Sequence, residues 1–131
     1  MRGKILVADD SEVMRKTLVA LFRLARPDAE VLEASNGHDA VSLAMEHEPD
    51  VIVLDGEMPR MNGFQAAQRL RAMAKTAKIP LIGISSETSE NPVVFDLQGV
   101  CNVFWPKPVP MDRLLAFIDQ VMIRKSVAAA S

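Results

Sequence analysis

The sequence contains one cysteine, Cys101, and two histidines, His38 and His47, among its 131 residues. A single cysteine cannot form an internal disulfide, and it suits a reducing compartment. A structural zinc site needs a cluster of Cys and His ligands, so it is implausible here. The scarcity of both residue types therefore excludes disulfide-stapled scaffolds and zinc-stabilised folds.

The sequence also lacks a long apolar run and an excess of charge of one sign. It has no stretch of about 18 apolar residues, which a membrane-spanning helix would require, and its first apolar run is too short for a signal peptide. The net charge of −2 provides no basic field for nucleic acid or an anionic membrane. We therefore expect a cytoplasmic protein that neither binds nucleic acid directly nor inserts into a membrane.

What is present is the composition of an ordinary globular domain. Hydrophobic residues make up 49% of the chain and charged residues 24%, which is typical of such proteins. The length is sufficient for one domain with a sizeable core. We expect this domain to cover residues 1–125 and a short, frayed tail of small residues to follow at 126–131.

Five short apolar runs alternate with stretches whose apolar residues recur at helical spacing. The runs are residues 5–8, 31–34, 51–55, 81–85 and 101–105. The second run alternates apolar and polar residues, which predicts an edge strand, whereas the third is continuously apolar, which is typical of a strand buried on both faces. The pattern predicts an α/β fold: a doubly wound, five-stranded parallel sheet in the flavodoxin-like order 2-1-3-4-5, with helices on both faces.

Acidic residues follow two strands that this order makes neighbours. Asp9 and Asp10 come after the first strand, and Asp55 ends the third. In such a sheet a crevice opens at the carboxyl ends of these two strands. Neighbouring carboxylates raise one another's pKa unless a cation joins them, and Mg²⁺ prefers oxygen ligands of this kind. The sequence therefore predicts a magnesium site at Asp9, Asp10 and Asp55.

Two further polar residues fall at the same edge of the sheet. Ser85 ends the fourth strand and Lys107 follows the fifth. A hydroxyl and an ammonium group are donors for an anion that the carboxylates alone would repel. With a carboxylate nucleophile and a divalent cation, this set fits phosphoryl transfer onto Asp55 to give an aspartyl-phosphate.

The sequence resembles the receiver domains of bacterial two-component response regulators, such as the chemotaxis regulator, over about residues 4–124. The motifs that carry the resemblance are LVADDS at 6–11, PDVIVLDGEMP at 49–59, MNG at 61–63, ISS at 84–86 and PKP at 106–108. The resemblance implies that Asp55 is the phosphoacceptor and that Ser85 and Lys107 bind the phosphoryl group. It also implies that Asp9, Asp10, Asp55 and the backbone carbonyl of Glu57 hold Mg²⁺.

The resemblance implies further roles for residues around this site. Phe104 stands at the position of the switch aromatic, whose rotamer follows Ser85. Glu57, Glu87 and Ser86 are at positions that tune the access of water to the acyl phosphate. The Lys107–Pro108 peptide bond is expected to be cis.

The function implied by the resemblance is a phosphorylation-activated signalling switch. A partner histidine kinase or phosphotransfer protein would donate the phosphoryl group. The surface formed by the fourth helix, fifth strand and fifth helix would then change for an unidentified output partner. Such a protein is not an enzyme beyond its own phosphorylation and slow dephosphorylation.

Other functions are compatible with parts of the pattern. A small Mg²⁺-dependent phosphatase with an aspartyl-phosphate intermediate often has a second acid two residues after its nucleophile, where Glu57 stands, but the chain has no insertion that could select a substrate. A degenerate receiver that only docks is disfavoured by the intact site residues. A flavodoxin is disfavoured because Asp9 and Asp10 would repel the flavin phosphate.

Overall fold

The computed structural model describes residues 3–130 and has the predicted α/β architecture, with five parallel strands and five helices in alternation. The strands are β1 (Gly3–Ala8), β2 (Ala29–Ala34), β3 (Val51–Asp55), β4 (Leu81–Ser85) and β5 (Val103–Pro106). The helices are α1 (Glu12–Ala25), α2 (Gly37–His47), α3 (Gly63–Ala72), α4 (Pro92–Val100) and α5 (Met111–Ala130). Within these residues, none of the helices is long and apolar enough to cross a membrane.

The strand order is β2-β1-β3-β4-β5, as predicted, and every neighbouring pair is parallel. The alternating run forms the edge strand β2, and the continuously apolar run forms the central strand β3, which is buried throughout. In the β1–β3 register Ala8 lies opposite Leu54. The next residue on each strand is an aspartate, so the register itself brings Asp9 and Asp55 together.

The sheet is covered on both faces because successive strand side chains point in opposite directions. On one face Val7, Val53 and their strand neighbours pack against α1 and α5. On the other face Leu6, Leu54 and their neighbours pack against α2, α3 and α4. Full burial of each such side chain contributes roughly 1.5–3 kcal/mol, so the sheet is a rigid platform for groups at its edge.

Two predicted boundaries differ from the structure. The segment 126–130, expected to be a frayed tail, continues α5 as helix to Ala130. The reason is that this segment has no Gly or Pro to stop the helix and is rich in Ala, the best helix former. In addition, β5 begins at Val103 rather than Cys101, because Cys101 instead ends α4 with its N–H bonded to the carbonyl of Leu97.

Pro106, one residue beyond the predicted run 101–105, is the last residue of β5. Its missing N–H is tolerated because β5 is an edge strand and the residue is terminal. The ladder resumes one residue later, where the Lys107 N–H donates to the Ser85 carbonyl at 2.7 Å. This bond fixes the chain direction from which the Lys107 side chain departs.

Candidate functional site

Three carboxylates meet at the carboxyl edge of the sheet, as predicted. Candidate ligand oxygens of Asp9, Asp10 and Asp55 all lie within 4.8 Å of one another. Asp9 and Asp55 are buried, at 0% and 1% exposure, whereas Asp10 is exposed at the mouth of the crevice. The cluster is therefore open to solvent on the side of Asp10.

Among the described residues, Lys107 is the one cation that pairs with the carboxylates of Asp9 and Asp55. Its Nζ lies 3.0 Å from Asp9 Oδ2 and 3.5 Å from Asp55 Oδ1, and its side chain is 17% exposed. The Lys107–Pro108 peptide bond is cis, as expected from the sequence. These two oxygens are buried and have no partner other than the Lys107 ammonium, so they retain lone pairs for a further cation.

Burial and like charge shift the protonation of the site. Burial raises the pKa of Asp55 to about 8, and the neighbouring charges of Asp9 and Glu57 add to this effect. Burial alone would lower the pKa of Lys107, but hydrogen bonding and attraction to Asp9 and Asp55 outweigh it and raise that pKa. Without a metal, one Lys ammonium does not offset three clustered carboxylates.

Backbone groups and an arginine hold Asp9 in place, and the sequence did not reveal them. Asp9 Oδ1 accepts a hydrogen bond from the Ser11 N–H at 2.9 Å. The Arg15 guanidinium donates to the Asp9 backbone carbonyl at 2.9 Å and pairs with Glu33 on β2. These contacts direct the other oxygen of Asp9 toward Lys107. They could not be predicted, because no sequence motif indicates them.

Gly63, at the start of α3, is a second contributor that the sequence did not single out for the site. A Cβ at this position would lie 2.2 Å from the backbone carbonyl oxygen of Asp55. The Gly63 N–H donates to the Gly56 carbonyl at 3.0 Å. Only glycine allows α3 to approach the end of β3 this closely. In the sequence this glycine is marked only as part of the MNG motif.

Ser85 is buried at the end of β4 and is already engaged by acidic residues. Its hydroxyl donates to Glu57 Oε1 and accepts from the backbone N–H of Glu87 at 2.9 Å. Its Oγ lies 3.7 Å from where a Cβ on Gly56 would stand, next to Asp55. The hydroxyl therefore lies near Asp55 but is bound to the carboxylate of Glu57.

The remaining predicted residues lie around the site without a contact to the carboxylate cluster. Ser86 is exposed, and Glu87 reaches Ser85 only through its backbone. Phe104 is half-buried and packs against Gly83, where an added Cβ would come within 2.8 Å of its ring. The glycine in β4 thus makes room for this aromatic ring.

Comparisons with known proteins agree on one family. Residues 5–119 match the response regulator receiver domain. The chain is 36% identical over 120 residues to protein PilH of Pseudomonas aeruginosa, covering 92% of this chain and 98% of that protein. It is 33% identical over 121 residues to a chemotaxis protein CheY homolog of Campylobacter jejuni, covering 91% and 92%.

The fold comparison gives the same architecture. The receiver domain of sensor histidine kinase PA1611 from Pseudomonas aeruginosa, whose structure has a magnesium ion coordinated in the active-site cleft, matches with a TM-score of 0.81. The match covers 92% of this chain and 97% of that one at 21% identity, which shows the fold. None of these three matches supports the phosphatase alternative.

The family match covers most of the chain, and both relatives are similar over nearly their whole length. The matched region includes the carboxylate cluster at the β1–β3 edge. The chain belongs to the response regulator receiver domain family, and it is a phosphorylation-activated signalling switch.

Proposed function

We propose that Asp55 is the residue that accepts the phosphoryl group in this switch. The observation that carries the proposal is the buried Asp55 carboxylate, which ends the central strand and faces the Lys107 ammonium beside Asp9. Receiver domains take phosphoryl groups from histidine kinases or phosphotransfer proteins, so the donor is a protein of that kind. The single cysteine is compatible with phosphoryl transfer in the reducing environment of the cytoplasm.

The residues present fit a divalent cation at this site. Two buried oxygens, one on Asp9 and one on Asp55, have no partner other than the Lys107 ammonium, and the exposed Asp10 adds a third ligand. We assign the Mg²⁺ site to these three carboxylates and the backbone carbonyl of Glu57. Bound there, Mg²⁺ supplies positive charge that neutralises the carboxylates and the phosphoryl oxygens.

The transfer itself requires a nucleophile and donors for the phosphoryl oxygens. A carboxylate oxygen of Asp55 attacks phosphorus while the bond from phosphorus to the donor's imidazole nitrogen breaks, and the electron pair leaves on that nitrogen. Lys107, 3.5 Å from Asp55 Oδ1, then binds a phosphoryl oxygen. Ser85 donates to another once its hydroxyl leaves Glu57. The same residues catalyse the slow hydrolysis of the acyl phosphate.

Phosphorylation at Asp55 must also change the surface that an output partner contacts. We propose that Phe104 follows Ser85 when the hydroxyl turns toward the phosphoryl group, because both lie at the β4–β5 end of the sheet. The face of α4, β5 and α5 would then present a changed surface to the output partner. Trp105, which follows Phe104 and is half-buried, is a fluorescence reporter for that change.

Asp10→Ala tests the metal site and with it the proposed function. The substitution removes one of few charged ligands, so we expect Mg²⁺ affinity to fall at least about tenfold. Labelling by acetyl phosphate at a fixed, low Mg²⁺ concentration should fall in parallel and recover at high Mg²⁺. A Trp105 fluorescence titration measures the affinity.

The matched control for this experiment is Asp96→Asn, which changes an exposed aspartate on α4 and should leave both quantities unchanged. Labelling that is equally fast in the chelator EDTA would contradict the metal site. Sustained hydrolysis of p-nitrophenyl phosphate would contradict the switch and favour a phosphatase.

Glu57→Ala should speed the phosphorylation of Asp55 by acetyl phosphate several-fold. The carboxylate of Glu57 binds the Ser85 hydroxyl and places a negative charge beside Asp55, so its removal frees a phosphoryl ligand and lowers repulsion of the incoming anion. Glu57→Gln, which keeps an acceptor without charge, should give an intermediate rate. Stopped-flow Trp105 fluorescence gives the rates.

Glu87→Ala is the control for the Glu57 series. Glu87 contacts Ser85 only through its backbone N–H, which the substitution retains, so the rate should change little. Equal rates in Glu57→Ala and the wild type would show that the Ser85–Glu57 bond does not limit phosphorylation.

A further inference from the structure

A second concave site lies at the opposite end of the sheet from the carboxylates. It is a pocket of about 550 Å³ between the start of β4, the loop after α3 and the middle of α5. The lining residues are Asp50, Ala74, Lys75, Lys78, Ile79, Pro80, Asn102, Phe117, Val121, Arg124 and Lys125. At about 3.3 Å per strand residue, β3 separates this pocket from Asp55 by most of its length.

The inner part of the pocket is apolar. Ile79 and Pro80 are half-buried on one side, and Phe117 and Val121 of α5 form the other. Val121 is 8% exposed and belongs to the core that packs under the sheet. The pocket therefore offers apolar side chains on two sides to an aromatic or aliphatic ring.

The rim of the pocket is cationic although the whole chain has a net charge of −2. Its cations are Lys75, Lys78, Arg124 and Lys125, and its single anion is Asp50. The Asp50 carboxylate is already engaged by Lys125 and by the Lys4 backbone N–H at 2.7 Å. Among residues 3–130, Lys78 and Arg124 have no ion pair or hydrogen bond made by the side chain.

The wall of the pocket is fixed by hydrogen bonds within the loop and to its neighbours. The Arg71 guanidinium donates to the carbonyls of Ala77 and Ile79 at 3.0 and 2.7 Å and to Asn102 Oδ1 at 2.9 Å. The buried Thr76 hydroxyl donates to the Leu70 carbonyl at 2.6 Å. The loop is therefore held in place before any ligand arrives, which lowers the entropic cost of binding.

We propose that this pocket binds a small organic anion, with an apolar ring against Ile79 and Phe117 and an acidic group at Lys78 and Arg124. Its volume lies within the range of roughly 300–1,000 Å³ seen for small-molecule sites. Such sites combine an apolar lining with a few placed charges, which is the arrangement here. A bound phosphate, carboxylate or sulfonate would complete the pairing of Lys78 and Arg124.

The probe for this site is anilinonaphthalene sulfonate, an aromatic anion that fluoresces when it leaves water. We expect saturable binding at one site and at least about tenfold weaker binding in the double variant Lys78→Ala/Arg124→Ala. The matched control Arg23→Ala/Arg113→Ala removes two exposed arginines elsewhere, so it should bind the dye like the wild type. Thermal melts establish that both double variants are folded.

Two further measurements test whether the site prefers anions and where on the protein the dye binds. The neutral analogue N-phenylnaphthylamine should bind more weakly, and amide chemical-shift changes should centre on residues 74–80 and 117–125. Equal dye binding by the two double variants, equal binding of the neutral analogue, or no saturable signal would overturn the proposal. Complete displacement of the dye by a poly-glutamate peptide would overturn it in favour of an acidic protein partner.

Discussion

Asp55→Asn is expected to stabilise the metal-free protein at pH 8. It should also remove most of the pH dependence that we expect for the stability of the wild type. The folded protein holds the Asp55 proton up to a pKa of about 8, against the ordinary value of 3.8. The stability that this group contributes is therefore fully present below about pH 4 and is lost as the pH rises toward 8. Asparagine has no proton to lose, so the variant should escape this loss.

The expected size of the effect follows from the linkage slope, which approaches about 1.4 kcal/mol per pH unit for one group. Between pH 6 and pH 8 the variant should gain about 2 kcal/mol over the wild type, or roughly 6–10 °C in melting temperature. Thermal melts in EDTA measure this difference. Mg²⁺ should restore the wild type at pH 8 and affect the variant much less.

Asp96→Asn serves as the control for these melts, because Asp96 is exposed on α4 and its substitution should leave the pH profile unchanged. Parallel melting curves for the wild type and Asp55→Asn across this pH range would contradict the burial of an unneutralised carboxylate at position 55.

Lys107→Met should strongly destabilise the metal-free protein at neutral to alkaline pH. Methionine has a similar length but no charge, so Asp9 and Asp55 would lose the ammonium 3.0 and 3.5 Å away. Removing one member of a buried ion pair typically costs about 3–5 kcal/mol. The loss should shrink as the pH falls below about 8, where Asp55 holds its proton, and in saturating Mg²⁺. Chemical denaturation at several pH values measures it.

The double variant Lys107→Met/Asp55→Asn separates the ion pair from simple packing. Because the second substitution removes a carboxylate that the first left unpaired, the double variant should be more stable than Lys107→Met alone. Lys16→Met is the control, since its ion pair with Glu33 is at the surface and should be worth less than about 1 kcal/mol. Additive losses in the double variant would count against direct coupling.

The arrangement of the fold could be predicted because the strands carry strong patterns. The fully apolar run before Asp55 is buried on both faces, and the alternating run forms the edge strand β2. Strand order then determines which strand ends are adjacent. This is why Asp9, Asp10, Asp55 and Lys107 could be brought together from sequence alone.

Contacts set by rotamers and loops could not be predicted in this way. The bond from Ser85 to Glu57 depends on the side-chain directions at the ends of two different strands. Arg71 carries a charge on the apolar stripe of α3, and only the folded loop shows that its guanidinium caps carbonyls such as that of Ile79. The length of α5 was underestimated because the small residues near Ala130 were interpreted as a frayed tail, although alanine favours a helix.

The most direct test of the account is to locate the phosphoryl group after reaction with acetyl phosphate and Mg²⁺. Borohydride reduces an acyl phosphate to an alcohol, so peptide mass spectrometry identifies the residue that carried it. The account predicts homoserine in place of Asp55 in the labelled wild type, and no reduced aspartate in labelled Asp55→Asn. Reduction at Asp9 or Asp10 in the wild type, or equal labelling of Asp55→Asn, would contradict it.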